Sequence, residues 1–269
     1  SLSLAQDGII NKLRSNLPDC PFPIRYTSLT AFNARYRQGR ITATGSLVYT
    51  NVTEHVKIGD APADFQRLAP SFTVSLQPWQ EQLLFLRLMY KSTFRMPTFN
   101  DLYYYRLGNR SLRPEKANEY NMGITWSRSF SSFLNYLSVT VDGYYNDVTD
   151  KIVAFPTTYA WKMANYGKVH VTGMDATLAA AASLGKNMVL VVSGGYTWQK
   201  AIDLTDATSK RYKDQLPYTP KHSGNVSAVL EMPWVNVGYS IVGVSERYSM
   251  SQNIPENRID GYMEHTASL

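Results

Sequence analysis

The sequence predicts an all-β protein, an antiparallel up-and-down meander of the membrane-spanning barrel type. Three observations predict it: short stretches in which apolar and polar residues alternate, connections that switch between brief and long, and 19 tyrosines and five tryptophans in 269 residues. Side chains of a strand point alternately to opposite faces, so alternation with a period of two marks a strand with one apolar and one polar face.

Taken in order, residues 1–24, which include Cys20-Pro21-Phe22-Pro23, read as the remainder of a long loop, with the first strand beginning near Arg25. In the next clear segment Ile41, Ala43, Gly45 and Leu47 alternate with Thr42, Thr44 and Ser46. The pattern is sharpest from Glu119 to Ser127, where Tyr120, Met122, Ile124 and Trp126 share one face against Glu119, Asn121, Gly123, Thr125 and Ser127. Leu137, Val139, Val141 and Tyr145 follow, set against Ser138, Thr140, Asp142 and Asn146. Weaker versions occupy 71–77, 173–182, 188–199, 226–231 and 235–241, giving about eleven strands in all. No internal sequence repeat suggests a propeller or solenoid.

The expected connections fall into two lengths. Brief links lie at 38–40, 77–79, 184–187 and 231–234, and each is rich in turn formers. Longer polar stretches lie at 51–64, 97–117, 201–220 and 249–260. Outer-membrane barrels place short turns on the periplasmic side and long loops outside, whereas a soluble sandwich has no reason for such asymmetry. Trp79 and Trp234 fall at brief links, where an aromatic girdle is expected at the membrane interface.

Composition narrows the classes further. The densest apolar run, Met188 to Val192, is far short of the roughly 18 residues a spanning helix requires. A chain that spans lipid without such helices must close its backbone hydrogen bonds between strands. The net charge is +6, but Lys and Arg are interspersed with Asp and Glu without a basic block, which points to a solvated surface and not to nucleic acid. The single cysteine, Cys20, has no partner for a disulfide within the sequence. The sequence starts at Ser1 without an apolar leader, so an export signal is expected outside it. The four histidines, His55, His170, His222 and His265, fall in different expected elements, without metal-site spacing and without a Gly-x-Ser-x-Gly elbow. Neither an enzyme nor a resident cofactor or metal is expected.

The most specific segment runs Phe94-Arg95-Met96-Pro97-Thr98-Phe99-Asn100-Asp101-Leu102-Tyr103-Tyr104, followed by Leu107-Gly108-Asn109-Arg110-Ser111-Leu112-Arg113-Pro114-Glu115. It resembles the strand-to-loop signature of TonB-dependent outer-membrane receptors, in which an aromatic-Arg-x-Pro segment leads into Gly-Asn-x-x-Leu-x-Pro-Glu. The strand opening at Asn118-Glu119-Tyr120-Asn121, the exit Tyr144 to Ile152, and Asn165-Tyr166-Gly167-Lys168-Val169 leading to Gly173-Met174-Asp175 are similar to the family as well. The resemblance covers most of residues 25–269. It implies a barrel of about twenty-two strands filled by a plug, with TonB contacting a plug segment. The sequence is then expected to hold about half of the wall, without the plug and without the first and last strands. Such a receptor imports a scarce nutrient through the bacterial outer membrane.

Local chemistry gives the motif a structural reading of its own. Pro97 and Pro114 lack the amide a sheet ladder needs and mark where pairing ends. Gly108 and Asn109 tolerate positive φ and are expected to form a tight turn. Glu115 is expected to pair with Arg95 or Arg113. Phe94, Arg95, Pro97, Gly108, Asn109, Leu112, Pro114 and Glu115 are therefore expected to shape the barrel rim.

The run Phe94 to Asn121 resembles the cobalamin-receptor type of the Bacteroides group. Similar haem receptors place a histidine between the two boxes, because imidazole ligates iron, and residues 98–107 contain none. A ferric-siderophore or haem receptor is the alternative ligand class, and an adhesin or binding barrel the alternative of another kind. The expected ligand-facing residues are Asp101, Tyr103, Tyr104, Tyr105 and Arg106 in one outer loop and Tyr159 and Trp161 in another, since aromatics offer flat contact and Asp or Arg fix polar groups. Expected partners are the nutrient, TonB through the plug, outer-membrane lipid and a surface lipoprotein.

Overall fold

The computed structural model describes residues 1–16, 20–79, 83–131, 133–156, 161–185 and 187–269. Twelve strands form one antiparallel sheet in which each pairs with the next in sequence: β1 (Leu2–Lys12), β2 (Ile24–Gln38), β3 (Ile41–His55), β4 (Phe65–Leu76), β5 (Leu83–Arg95), β6 (Glu115–Ser129), β7 (Leu134–Pro156), β8 (Trp161–Gly185), β9 (Met188–Asp203), β10 (His222–Glu231), β11 (Asn236–Val244) and β14 (Tyr262–Ser268). Two short strands, β12 (Arg247–Tyr248) and β13 (Arg258–Ile259), pair apart from the sheet inside the last long connection. Among the described residues, helix is confined to α1 (Phe99–Tyr103) and a 3-10 turn at Pro255–Asn257.

The meander matches the sequence reading with one correction at its start. Residues 1–24 were expected as loop, yet β1 pairs with β2 along its whole length, from Leu2 opposite Ala34 to Lys12 opposite Ile24. Leu2 and Leu4 begin an alternation that lapses at Gln6 and Gly8, so the strand is specified by the ladder β2 offers and not by its own pattern.

The two ends of the sheet differ as expected. At one end, β2–β3, β4–β5, β6–β7, β8–β9 and β10–β11 are joined by two to six residues. The β2–β3 turn uses Gly39 at φ +52 and the β8–β9 turn uses Asn187 at φ +64, conformations these residue types tolerate. At the other end lie the long connections 13–23, 56–64, 96–114, 204–221 and 245–261. The hairpin of β7 and β8 differs from them, because its strands of 23 and 25 residues carry regular pairing up to Pro156 opposite Trp161.

Register follows the two-faced pattern from β2 through to β14. Phe32 lies opposite Leu47, Leu47 opposite Pro70, Phe72 opposite Tyr90, Leu88 opposite Met122, and Ile124 between Leu86 and Val141. The same face continues through Leu178, Val226, Ile241 and Met263, and much of it is exposed: Leu88 is 56% and Met122 67% accessible. Tyr120, Met122, Ile124 and Trp126 share it, as the sequence implies. The other face is polar and internally bonded. There Arg87 donates to Asp142 at 3.1 Å, Thr197 to Asp175 at 2.6 Å, and Thr125 lies 3.1 Å from Thr140. Such a sheet has one bare apolar face and one polar face bonded within itself, the reverse of a soluble sandwich and the pattern of a transmembrane barrel wall.

Candidate functional site

The long-connection end carries the family-like motif, and its residues are fixed by side-chain bonds to backbone. Thr98 caps α1: its hydroxyl accepts from Asp101 N at 3.1 Å while the Asp101 carboxylate accepts from Thr98 N at 2.8 Å, a reciprocal capping box. Arg95 reaches Asp101 at 3.4 Å, Glu115 at 3.1 Å and the Ile152 carbonyl at 3.2 Å. Glu115 in turn accepts from Ile152 N at 3.0 Å. One guanidinium thereby joins the end of β5, the cap of α1, the start of β6 and the rising β7.

α1 folds back over the polar face of the sheet. The Arg25 guanidinium of β2 lies 4.9 Å from the Phe99 ring, and the Tyr103 hydroxyl donates to Glu54 of β3, itself paired with Arg25 at 2.7 Å. Burial first, then the hydrogen bond to Glu54, raises the Tyr103 pKa well above the usual tyrosine range. Leu102 and Leu112 are buried against Ile152. Pro97 is buried as well, while Phe94 packs at 5.0 Å on Phe65. The loop therefore lies across the mouth of the wall.

Gly108 corrects the reading of the turn. Neither Gly108 nor Asn109 adopts positive φ; Arg106 does, at +64°. Glycine is required at 108 because a Cβ there would sit 2.7 Å from the backbone of Leu102 and Tyr103. Asn109 accepts from Ser111 N at 3.0 Å and donates to the Met163 carbonyl at 3.0 Å, and Met163 N donates to the Leu107 carbonyl at 3.1 Å. Asn165 bonds both N and O of Arg113, at 2.9 and 3.0 Å, so the stretch from Pro114 back to Leu107 is stitched to the β7–β8 hairpin. Of the two basic partners expected for Glu115, Arg95 is the one observed, and Arg113 pairs with Asp150 at 2.9 Å.

The expected ligand-facing residues divide into two groups. Asp101 and Tyr103 engage their polar groups within the chain. Tyr104, Tyr105 and Arg106 stand exposed, with the Arg106 guanidinium 5.0 Å from the Tyr105 ring. Tyr159 lies outside the described residues. Trp161 opens β8, on a strand and not in an irregular loop, and is half exposed.

Trp161 also borders a cleft of about 520 Å³ that the sequence did not reveal. Val153 and Ala154 of β7, Leu216-Pro217-Tyr218 of the 204–221 connection and Met250 of the 245–261 connection supply its apolar lining, with Lys151, Arg211, Gln252 and Asn257 among its polar groups. Two connections build it jointly, since Asn253 accepts from Gln215 N at 2.8 Å, donates to the Gln215 carbonyl at 3.0 Å and bonds Asp214 at 3.0 Å. The sequence marks both as long polar connections. Nothing local marked their residues, because the cleft exists only once Gln215 and Asn253, far apart in sequence, meet.

Comparison with known proteins agrees with this geometry. The family described as TonB dependent receptor-like, beta-barrel, matches residues 10–269. The chain is 32% identical over 84 residues to a vitamin B12 transporter of Vibrio vulnificus, a match spanning 30% of this chain and 13% of that protein. Among solved structures it is similar to the copper transporter OprC, with a TM-score of 0.72 at 14% identity over 99% of this chain and 44% of that one. The ferric citrate transporter FecA gives a TM-score of 0.69 at 15% identity, covering 93% and 39%. These structural likenesses concern the fold.

Proposed function

Because the chain belongs to the TonB-dependent receptor β-barrel family of the bacterial outer membrane, we propose that it forms part of the wall and ligand-receiving mouth of an active nutrient importer, and that the nutrient is cobalamin. The observation that supports the importer reading is the division of the sheet. A bare apolar face suited to lipid backs a polar inner face, and the long connections gather at one end, where a ligand arriving from outside would be met.

In this reading the capped loop 97–114 forms a rigid floor to the mouth, and the cleft beside Trp161 forms its adjoining wall. Trp161, Tyr218 and Met250 offer flat or adaptable apolar contact to a corrin, and Gln252 and Asn257 offer partners for its peripheral amides. Tyr104, Tyr105 and Arg106 extend the receiving surface. The remainder of the barrel, a plug and TonB complete the transporter, the plug supplying the segment through which TonB delivers energy. Support for cobalamin comes from the Vibrio relative, whose printed name is that of a vitamin B12 transporter; the lack of histidine in 98–107 counts against haem.

Calorimetric titration of the intact receptor with cyanocobalamin, ferric siderophores and haem tests the ligand. Saturable cobalamin binding, reduced by Trp161→Ala, is expected. Tight binding of a ferric siderophore with none of cobalamin would overturn the assignment.

A further inference from the structure

Above its apolar band, the lipid-facing side of β5–β9 changes character in a fixed order. Leu86, Ile124 and Val141 share one rung; two rungs higher lie Tyr90, Tyr120 and Tyr145, in ring contact at 5.2 and 6.2 Å. Tyrosines in such a row mark a membrane interface, with ring in hydrocarbon and hydroxyl in the headgroup zone. Lys200 occupies the same rung by way of Thr172. The next rung holds Asp147 opposite His170, and the one beyond holds Lys116 and Lys168, both opposite Thr149. All three lysines are exposed.

Spacing matches a headgroup layer. Lys116 lies four residues beyond Tyr120, which is about 13 Å along the strand and about 10 Å along the normal for a tilt near 40°. Lysine stems can bend back over part of that distance. Lys116 and Lys168 flank one strand, so their backbones are about 10 Å apart. Asp147 is the single acid on this part of the face among the described residues; it lies 3.8 Å from Lys168 and 3.2 Å from His170, and leaves the patch net positive.

We propose that Lys116, Lys168 and Lys200, with His170 between them, form a site on the outer wall that binds the phosphate groups of a membrane lipid in the leaflet facing the long connections. The occupant is a lipid and not free phosphate, because Lys116 and Lys168 sit two rungs above a tyrosine row, with Lys200 level with it, and below that row lies an apolar surface that acyl chains would cover. The proposal rests on the lipid-facing assignment of this face and is independent of the transported nutrient.

The test uses the intact receptor in a neutral detergent. Native mass spectrometry would record retention of lipid A and of its chemically dephosphorylated form by wild type and by the triple variant Lys116→Gln, Lys168→Gln, Lys200→Gln. A control, Lys210→Gln with Lys213→Gln, removes charge from the 204–221 connection. Wild type and control should retain lipid A, and the triple variant should lose affinity by on the order of 100-fold. All proteins should hold the dephosphorylated form weakly and alike. Equal retention of lipid A by the triple variant, an equal loss in the control, or no preference of wild type for the phosphorylated form would each overturn the proposal. Unchanged nutrient binding and thermal unfolding of the triple variant keep a folding defect from imitating the expected loss.

Discussion

The middle of the wall and the long-connection rim are built from the same strands but are held by different forces. At mid-height the backbone ladder and the two-faced side-chain pattern suffice: Ile124 has Leu86 and Val141 beside it, and almost any apolar residue would serve. At the rim each residue has one role. Arg95 joins three segments, Asn165 clamps Arg113, and Gly108 lets α1 approach its own loop. The wall tolerates changes that keep their face, and the rim tolerates changes only where a side chain reaches no partner.

Substitutions on the two regions can break or sharpen this contrast. The largest effect is expected for Ile124→Arg, which should cost about 2–4 kcal/mol near the bilayer midplane, read by urea unfolding of the intact receptor in vesicles. Thr125→Arg, one residue on but facing inward, should cost far less, and equal losses at both would remove the distinction between faces. Gly108→Ala follows at about 1–3 kcal/mol, because its Cβ would meet backbone that cannot rotate away. Unchanged unfolding would mean that the loop does not pack on α1 as described. Arg95→Ala should cost about 1 kcal/mol, below the usual range for bonds to a charged group and at the top of that for exposed ion pairs, since its side chain is 45% exposed. Hydrogen exchange should show this as faster exchange of Thr98 and Ile152 amides with the wall unaffected. Smallest in stability is Tyr104→Ala with Tyr105→Ala and Arg106→Ala, expected within about 0.5 kcal/mol of wild type while weakening nutrient binding. Retained affinity would exclude these residues from the receiving surface.

The same contrast explains what the sequence makes legible. Alternation around Tyr120 to Trp126 names strand and face together, because period two is a local property. The two connection lengths are likewise local, being set by Gly39, Asn187 and the polar stretches themselves. β1 escaped because Gln6 and Gly8 interrupt its alternation and its partners on β2 lie from 12 to 32 residues away. β7 and β8 outrun the expected exit at Ile152 because their pairing continues beyond the height at which lipid imposes a pattern. At the rim the motif residues could be singled out, but Gly108 was assigned a turn where it serves close packing. The cleft beside Trp161 depends on contacts such as Asn253 with Gln215, which no local pattern announces.

The orientation of the two faces is most directly tested by spin labels placed singly at Asn121, Met122, Gly123, Ile124 and Thr125 of the intact receptor in vesicles, with Cys20 and every other cysteine of the receptor changed to serine to leave one thiol. Labels at 122 and 124 should collide mainly with oxygen dissolved in lipid, and those at 121, 123 and 125 mainly with a water-soluble nickel chelate. Reversed parity, or nickel access at all five positions, would contradict a lipid-facing apolar wall.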